Sequence, residues 1–230
     1  GADGDGCAGA DGDGSAGADG EGDGGAPRFD ATVDLANVGG EGATRRVEAD
    51  LLDPAGASVL PAPLTAEATV DGGGTATVEF GARVPDAEPW TAETPTCYTL
   101  TLALDAAGAR GAADATGSTV VATTVGFREV EVADGRLLVN GAAVTIRGVN
   151  RHDFDPDRGR AVSLATMRED VELMKRHNLN AVRTAHYPND ARFYDLCDEY
   201  GLYVLDETDL ECHGMEHADE VTHLSDDPAW

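Results

Sequence analysis

Between residues 28 and 125 apolar and polar positions alternate with a period of two. FDATVDLANV and RRVEADLL alternate, ATVEF follows the turn Gly72-Gly73-Gly74, and YTLTLALD and STVVATTV complete at least five short strands bounded by Gly, Pro and Asp. Strands at this spacing over roughly a hundred residues predict an immunoglobulin-like β-sandwich. The Cys…Trp…Cys arrangement of antibody domains does not occur, so the architecture is expected without that hallmark. Trp90 lies in the connection PDAEPWTAETPTCY, where it is expected to cover the end of the sandwich or to pack on a neighbouring domain.

From residue 126 the period changes. FREVEVADGRLLVNGAAVTIRGVN predicts a hairpin turning at Ala133-Asp134-Gly135, a turn at Asn140-Gly141, and a strand from Val144 to Val149. That strand runs into Asn150-Arg151-His152-Asp153. In SLATMREDVELMKRHN, Ser163 is the expected N-cap and Leu164, Met167, Val171 and Met174 fall on one helical face. NAVRTAHYPNDARFYDLCDEYGLYVL then reads as strand, loop, helix and strand, with Gly201 stopping the helix before a short apolar run. Strands separated by helices predict a parallel sheet. A (β/α)₈ barrel begins this way, and so does a doubly wound sheet.

Residues 1–27 carry almost only Gly, Ala and acid, with no large apolar side chain. Burial there cannot offset chain entropy, so this segment is expected to be disordered. The predicted division is therefore 1–27, a low-complexity segment; 28–125, the sandwich; and 126–230, the α/β part. No stretch reads as a signal peptide or a membrane span. A net charge of −27 opposes binding to nucleic acid or an anionic membrane. Lys175 is the only lysine among 16 cationic residues. That balance suits a strongly hydrated acidic surface in salt-rich cytoplasm, and it equally suits a GC-rich coding bias. Cys7, Cys97, Cys197 and Cys212 show no CxxC spacing, so free thiols in a reducing, cytoplasmic compartment are expected.

The candidate chemistry lies just past three successive strands: His152, His186, and the pair Glu211/His213. In a barrel these groups would converge on one mouth at the C-terminal face. Glu211 and His213, two apart on an extended segment, project to the same side. Oxygen plus one nitrogen ligand suits Mg²⁺ or Mn²⁺, with water and a further carboxylate completing the shell. Cys212 would point away and reads as a packed thiol. The run HGMEH is not the HExxH pattern of zinc proteases.

The stretch from Asn180 to Leu205 resembles the first signature of glycoside hydrolase family 2, which contains the large β-galactosidases, β-glucuronidases and β-mannosidases. The resemblance is carried by Asn180, Arg183, His186-Tyr187-Pro188, Asp198 and Gly201. VGFREVEV, IRGVNRHDFDP, LMKRHNLNAVR and DETDLECHGM draw it toward the bacterial β-galactosidases. It is close over residues 126–230 and loose over the sandwich. It implies an immunoglobulin-like domain leading into a TIM barrel. It further implies that His152 and His186 hold the galactosyl group, that Arg183 lies beneath the catalytic carboxylates, and that Glu211 and His213 bind Mg²⁺. Na⁺ as a further ion and a homo-oligomeric complete enzyme are also implied. Two positions depart from the pattern. Asp153 stands where Glu is common, and Asp209 places a carboxylate where Asn usually precedes the metal-binding glutamate.

Retaining glycosidases use two carboxyl groups about 5 Å apart, one as acid/base and one as nucleophile. The resemblance places both on later barrel strands, the acid/base in an Asn-Glu pair, and this sequence contains no Asn-Glu dipeptide. The expectation is therefore a β-galactosidase fragment without the catalytic pair and inactive alone. A non-catalytic sugar-binding remnant, or β-glucuronidase specificity in the complete enzyme, are the alternatives.

Overall fold

The computed structural model of the chain describes residues 26–105 and 119–210. The expected disorder of the acidic segment lies outside these residues except at Ala26 and Pro27, and so do Cys7, Cys212, Glu211 and His213. Six antiparallel strands come first: β1 (Arg28–Ala36), β2 (Ala43–Leu52), β3 (Leu64–Val70), β4 (Thr75–Arg83), β5 (Tyr98–Leu104) and β6 (Thr119–Val125). They form two layers, a β1–β4 pair and a four-stranded sheet in the order β3-β2-β5-β6. The alternation explains why. On β2, Val47, Ala49 and Leu51 are buried, and on β4, Val78 and Phe80 are buried, so each strand gives one face to a shared core.

A short antiparallel meander follows, made of β7 (Val130–Ala133), β8 (Arg136–Val139) and β9 (Ala142–Ala143). Its first turn uses Asp134 and Gly135, both with positive φ, as a two-residue type I′ hairpin turn requires. The chain then builds a parallel sheet in the order β10-β11-β12 from β10 (Gly148–Arg151), β11 (Ala181–Thr184) and β12 (Tyr203–Leu205). The helices α1 (Leu164–Arg176) and α2 (Ala191–Tyr200) are the crossovers. Both pack on one face of the sheet, where Met167, Val171, Met174, Val182, Phe193, Leu196, Cys197 and Leu202 form a second core.

The local signals behave as read. The Ser163 side chain accepts from the Thr166 amide at the start of α1. Gly201 ends α2 in the left-handed conformation, and a side chain there would run into the Ala92 carbonyl. One boundary differs. The strand expected over 144–149 pairs only from Gly148, because its partner β11 begins at Ala181. Ahead of it the Asn180 side chain stands in for a strand mate, donating to the Thr145 carbonyl at 3.0 Å and accepting from the Arg147 amide at 2.8 Å.

Trp90 joins the two halves. It is buried, its indole Nε1 donates to the Asp198 carbonyl at 2.8 Å, and its ring meets Tyr203 edge-on with centroids 5.6 Å apart. The Arg128 guanidinium lies 5.2 Å over the same ring. Lys175 adds a second tie, donating to the carbonyls of Ala92 and Gly201, each at 2.8 Å. Trp90→Ala is expected to lower unfolding stability by about 3–5 kcal/mol and to separate the urea transition of the helical half from that of the sandwich. Far-UV circular dichroism, read at the helix and strand bands through the urea titration, checks this, and a single unshifted transition would contradict it.

Candidate active site

Parallel pairing places the C-terminal ends of β10, β11 and β12 side by side, since Arg151 stands opposite Thr184 and Arg183 opposite Leu205. His152 is one residue past β10, and His186 and Glu207 are each two past their strands. Asn150, Arg183 and Leu205 share one register row. Val182 faces the helices, so alternation along β11 turns Arg183 to the opposite side of the sheet.

The structure brings His152 and His186 together, with ring centroids 5.4 Å apart and edge-to-face. Tyr187 stands 6.0 Å from His152, and the Arg160 guanidinium lies 4.5 Å over the Tyr187 ring. Arg183 is beside them. Its Nε donates to Glu207 Oε1 at 2.6 Å, and its Nη2 pairs with the same carboxylate. Glu207 Oε2 lies 3.3 Å from His186 Nδ1, and Arg183 Nη2 lies 3.5 Å from that same nitrogen. An open cleft of about 250 Å³ is lined by Arg183, His186, Glu207, Thr208 and Leu210. A carboxylate, a guanidinium and an imidazole around one cleft, with the Leu210 side chain beside them, suit a polyhydroxylated ligand, which needs both donors and acceptors and an apolar face.

Beneath this layer a second set of bonds fixes the loops. Arg151 is buried in the loop junction. Its Nη1 pairs with Asp153 and donates to Asn189 Oδ1 at 2.7 Å, its Nε donates to Asp170 Oδ2 at 2.9 Å, and its plane lies 4.1 Å from the Phe193 ring centroid. Nη2 is buried without a hydrogen-bond partner among the described residues. Asp153 also accepts from the Asp190 amide at 2.8 Å, which ties the loop after β10 to the cap of α2. Asp190 caps that helix, and the hydrogen bonds from Arg192 hold its carboxyl low, at about 2.

The third strand end is tied to the second. Asp206 Oδ1 accepts from Thr184 Oγ1 at 2.7 Å and from the Tyr194 hydroxyl at 2.6 Å, while the Glu207 amide donates to Thr184 Oγ1 at 3.1 Å. Burial, and then the Asp206 carboxylate, push the Tyr194 phenol up to about 12, so it remains a donor. Cys197, wholly buried against the sheet, is pushed up to about 12 by burial and is a packed thiol. Among the described residues no group of three His, Cys, Asp or Glu is placed to hold a metal ion. The expected ligands Glu211 and His213 lie beyond Leu210, outside those residues.

Reading the sequence alone had not singled out Arg151, Asn189, Tyr194, Asp206 or Glu207. Glu207 carried a usable signal, because it stands as far past its strand as His186 does. Arg151 carried none, since an arginine next to a candidate histidine gives no hint of its burial.

Comparison with known proteins adds identity to this geometry. A family model described as "Glycosyl hydrolases family 2, TIM barrel domain" matches residues 130–230, and one described as "Glycosyl hydrolases family 2" matches residues 18–128. The β-galactosidase of Pseudoalteromonas haloplanktis is 51% identical over 143 residues, covering 61% of this chain and 13% of its own length. The β-galactosidase of Priestia megaterium is 40% identical over 190 residues, covering 80% of this chain and 17% of its own. Among solved structures, Bacteroides uniformis β-glucuronidase superposes with a TM-score of 0.70 at 26% identity, over 79% of this chain and 21% of that one. The GH2 β-galacturonidase from Eisenbergiella tayi, bound to galacturonate, gives 0.65 at 27% identity, over 79% and 29%. The chain thus spans less than a fifth of the length of these two β-galactosidases.

Arg151→Met removes the buried cation and strands Asp153, so a loss of about 3–5 kcal/mol is expected. The double change Arg151→Met with Asp153→Leu should recover much of it, because no uncompensated buried charge is left. Urea denaturation of the four members of the cycle measures this, and simple additivity would show the pair to be uncoupled.

Proposed function

We propose, from the premise that this chain belongs to glycoside hydrolase family 2, that it is the part of a β-galactosidase that holds the sugar. The observation that carries the substrate is the 40% identity to a β-galactosidase over 80% of the chain. In this reading residues 28–125 are the immunoglobulin-like module, and residues 126–230 open a TIM barrel whose C-terminal mouth is the cleft at the strand ends. The complete enzyme releases terminal non-reducing β-D-galactose with retention. One carboxyl protonates the leaving oxygen and a second forms the glycosyl-enzyme. We assign neither to a residue of this chain. What the chain supplies is binding and electrostatics. His152 and His186 hydrogen-bond sugar hydroxyls, and Arg183, held by Glu207, lies beneath the position of the catalytic carboxylates.

Glu211 and His213 would hold Mg²⁺. A carboxylate with an imidazole suits a hard divalent ion that keeps several waters, and such an ion would lower the cost of gathering carboxylates around the cleft. The ligand is a neutral sugar, with neither nucleic acid nor membrane as partner; no helix of the described residues is long and apolar enough to cross a membrane. The cytoplasm as its place and a homo-oligomeric complete enzyme belong to the same proposal. A second reading, specificity for a uronic acid, is favoured by the β-glucuronidase and β-galacturonidase structures that superpose on this chain. It is the weaker one, because identity to them is 26–27%, against 40–51% to the β-galactosidases.

Two measurements test the proposal in an enzyme that carries this chain at the full length of its relatives. The first compares turnover of aryl β-galactoside with that of aryl β-glucuronide; preference for the glucuronide would overturn the substrate assignment. In the same assay His186→Ala should lower kcat/KM about a hundredfold, roughly 2.7 kcal/mol of transition-state binding. The second is calorimetric titration with Mg²⁺. Glu211→Gln should weaken binding at least tenfold, and unchanged affinity would remove Glu211 from the metal site.

A further inference from the structure

Asn189 is buried in the loop after β11, and its side-chain amide has a partner at either end. Oδ1 accepts from Arg151 Nη1 at 2.7 Å, and Nδ2 donates to the Tyr187 carbonyl at 3.3 Å. A guanidinium only donates and a carbonyl only accepts, so one orientation of the amide serves both. The backbone amide of Asn189 donates to the Tyr194 hydroxyl at 2.8 Å, and that hydroxyl donates to Asp206 Oδ1 at 2.6 Å. One residue thus ties together three strand ends: β10 through Arg151, β12 through Asp206, and β11 through its own loop. Arg151 immediately precedes His152, and Tyr187 immediately follows His186. The Asn189 side chain therefore links the neighbours of the two histidines, whose ring centroids stand 5.4 Å apart.

We propose that Asn189 is a positioning residue that joins the loop of His152 to the loop of His186, so that His152 meets the sugar from a fixed place beside His186. An edge-to-face contact between two rings at the surface is too weak to align two loops, whereas a buried hydrogen bond from a guanidinium is strong and directional. Asp153 closes the other side of the same joint, accepting from Arg151 and from the Asp190 amide. Asn189 alone reaches the Tyr187 carbonyl from that cluster, which carries the joint to the residue next to His186. A carboxylate in its place would still accept from Arg151 but would offer that carbonyl no donor. The role in sugar binding rests on the glycosidase reading above. The joint between the loops stands on the geometry alone.

Overhauser contacts between the carbon-bound imidazole protons test the joint in the ligand-free 230-residue chain, at about pH 8 where a carboxyl group is ionised. His152→Gln and His186→Gln assign the signals, and the contact between the Trp90 and Tyr203 rings is the control. The wild-type chain should show a His152–His186 contact. Asn189→Asp, which keeps an acceptor for Arg151, should lose it while the Trp90–Tyr203 contact remains. Absence of the contact in the wild type, or its survival in Asn189→Asp, would overturn the proposal. The second arm uses the enzyme at the full length of its relatives. There Asn189→Asp should lower kcat/KM on an aryl β-galactoside about tenfold. In the His152→Ala background the same change should cost less than about twofold, because the group it positions is gone. A full tenfold loss in that background would overturn the role at the sugar. Loss of the ring contact in an enzyme that turns over no galactoside would fault the substrate reading and uphold the joint.

Discussion

The cleft at the strand ends depends on one buried cation. Arg151 lies at the end of β10, and its guanidinium reaches Asp153 on its own loop, Asp170 on α1 and Asn189 on the loop after β11, with the Phe193 ring below it. Burying a guanidinium is costly unless its donors are matched, and here Nε and Nη1 meet acceptors on separate elements. His152 is the next residue in the chain, so a bond made for charge compensation also fixes where the first candidate ligand-binding group emerges. Asp153 is the shared member, accepting from Arg151 and from the Asp190 amide at the cap of α2.

The same economy appears where the sandwich meets the helices. The connection from Trp90 to Thr96 has no regular structure, yet it carries Trp90, which bonds to α2, and the Ala92 carbonyl, which accepts from Lys175 on α1. In a chain whose cations are otherwise arginines, the single lysine bridges two carbonyls, a task its three rotatable donors suit better than a planar fork. Gly201 completes the junction, since it ends α2 with positive φ and its missing side chain admits the Ala92 carbonyl. The acidic surface and the apolar cores are separate solutions: charge keeps the chain hydrated, while shape at this seam orients the sheet that carries the cleft.

Placed on that frame, Glu207, Arg183 and His186 form one electrostatic unit. The carboxylate neutralises the guanidinium and contacts the imidazole, so a change in any one of the three alters the other two.

Much of the fold was legible from short-range patterns. Period-two alternation marked the sandwich strands, Ser163 and Gly201 marked helix ends, and the alternation of strands with helices gave the parallel sheet, because each depends on neighbours within a few residues. His152 and His186 were readable for the same reason, since a strand end is a local feature. The contacts that make the cleft were not. Glu207 meets Arg183 across 24 positions, Arg151 meets Asn189 across 38, and Trp90 meets Asp198 across 108. Nothing in the local sequence encodes such separations. The first two follow from the register of the parallel strands, which sets Arg183 opposite Leu205 and Arg151 opposite Thr184, and the third from the docking of the Trp90 connection on α2. The sequence by itself determined which residues stand at strand ends and which helices join them. Only the tertiary structure decided which side chains meet there, because register and burial are settled by packing between segments distant along the chain.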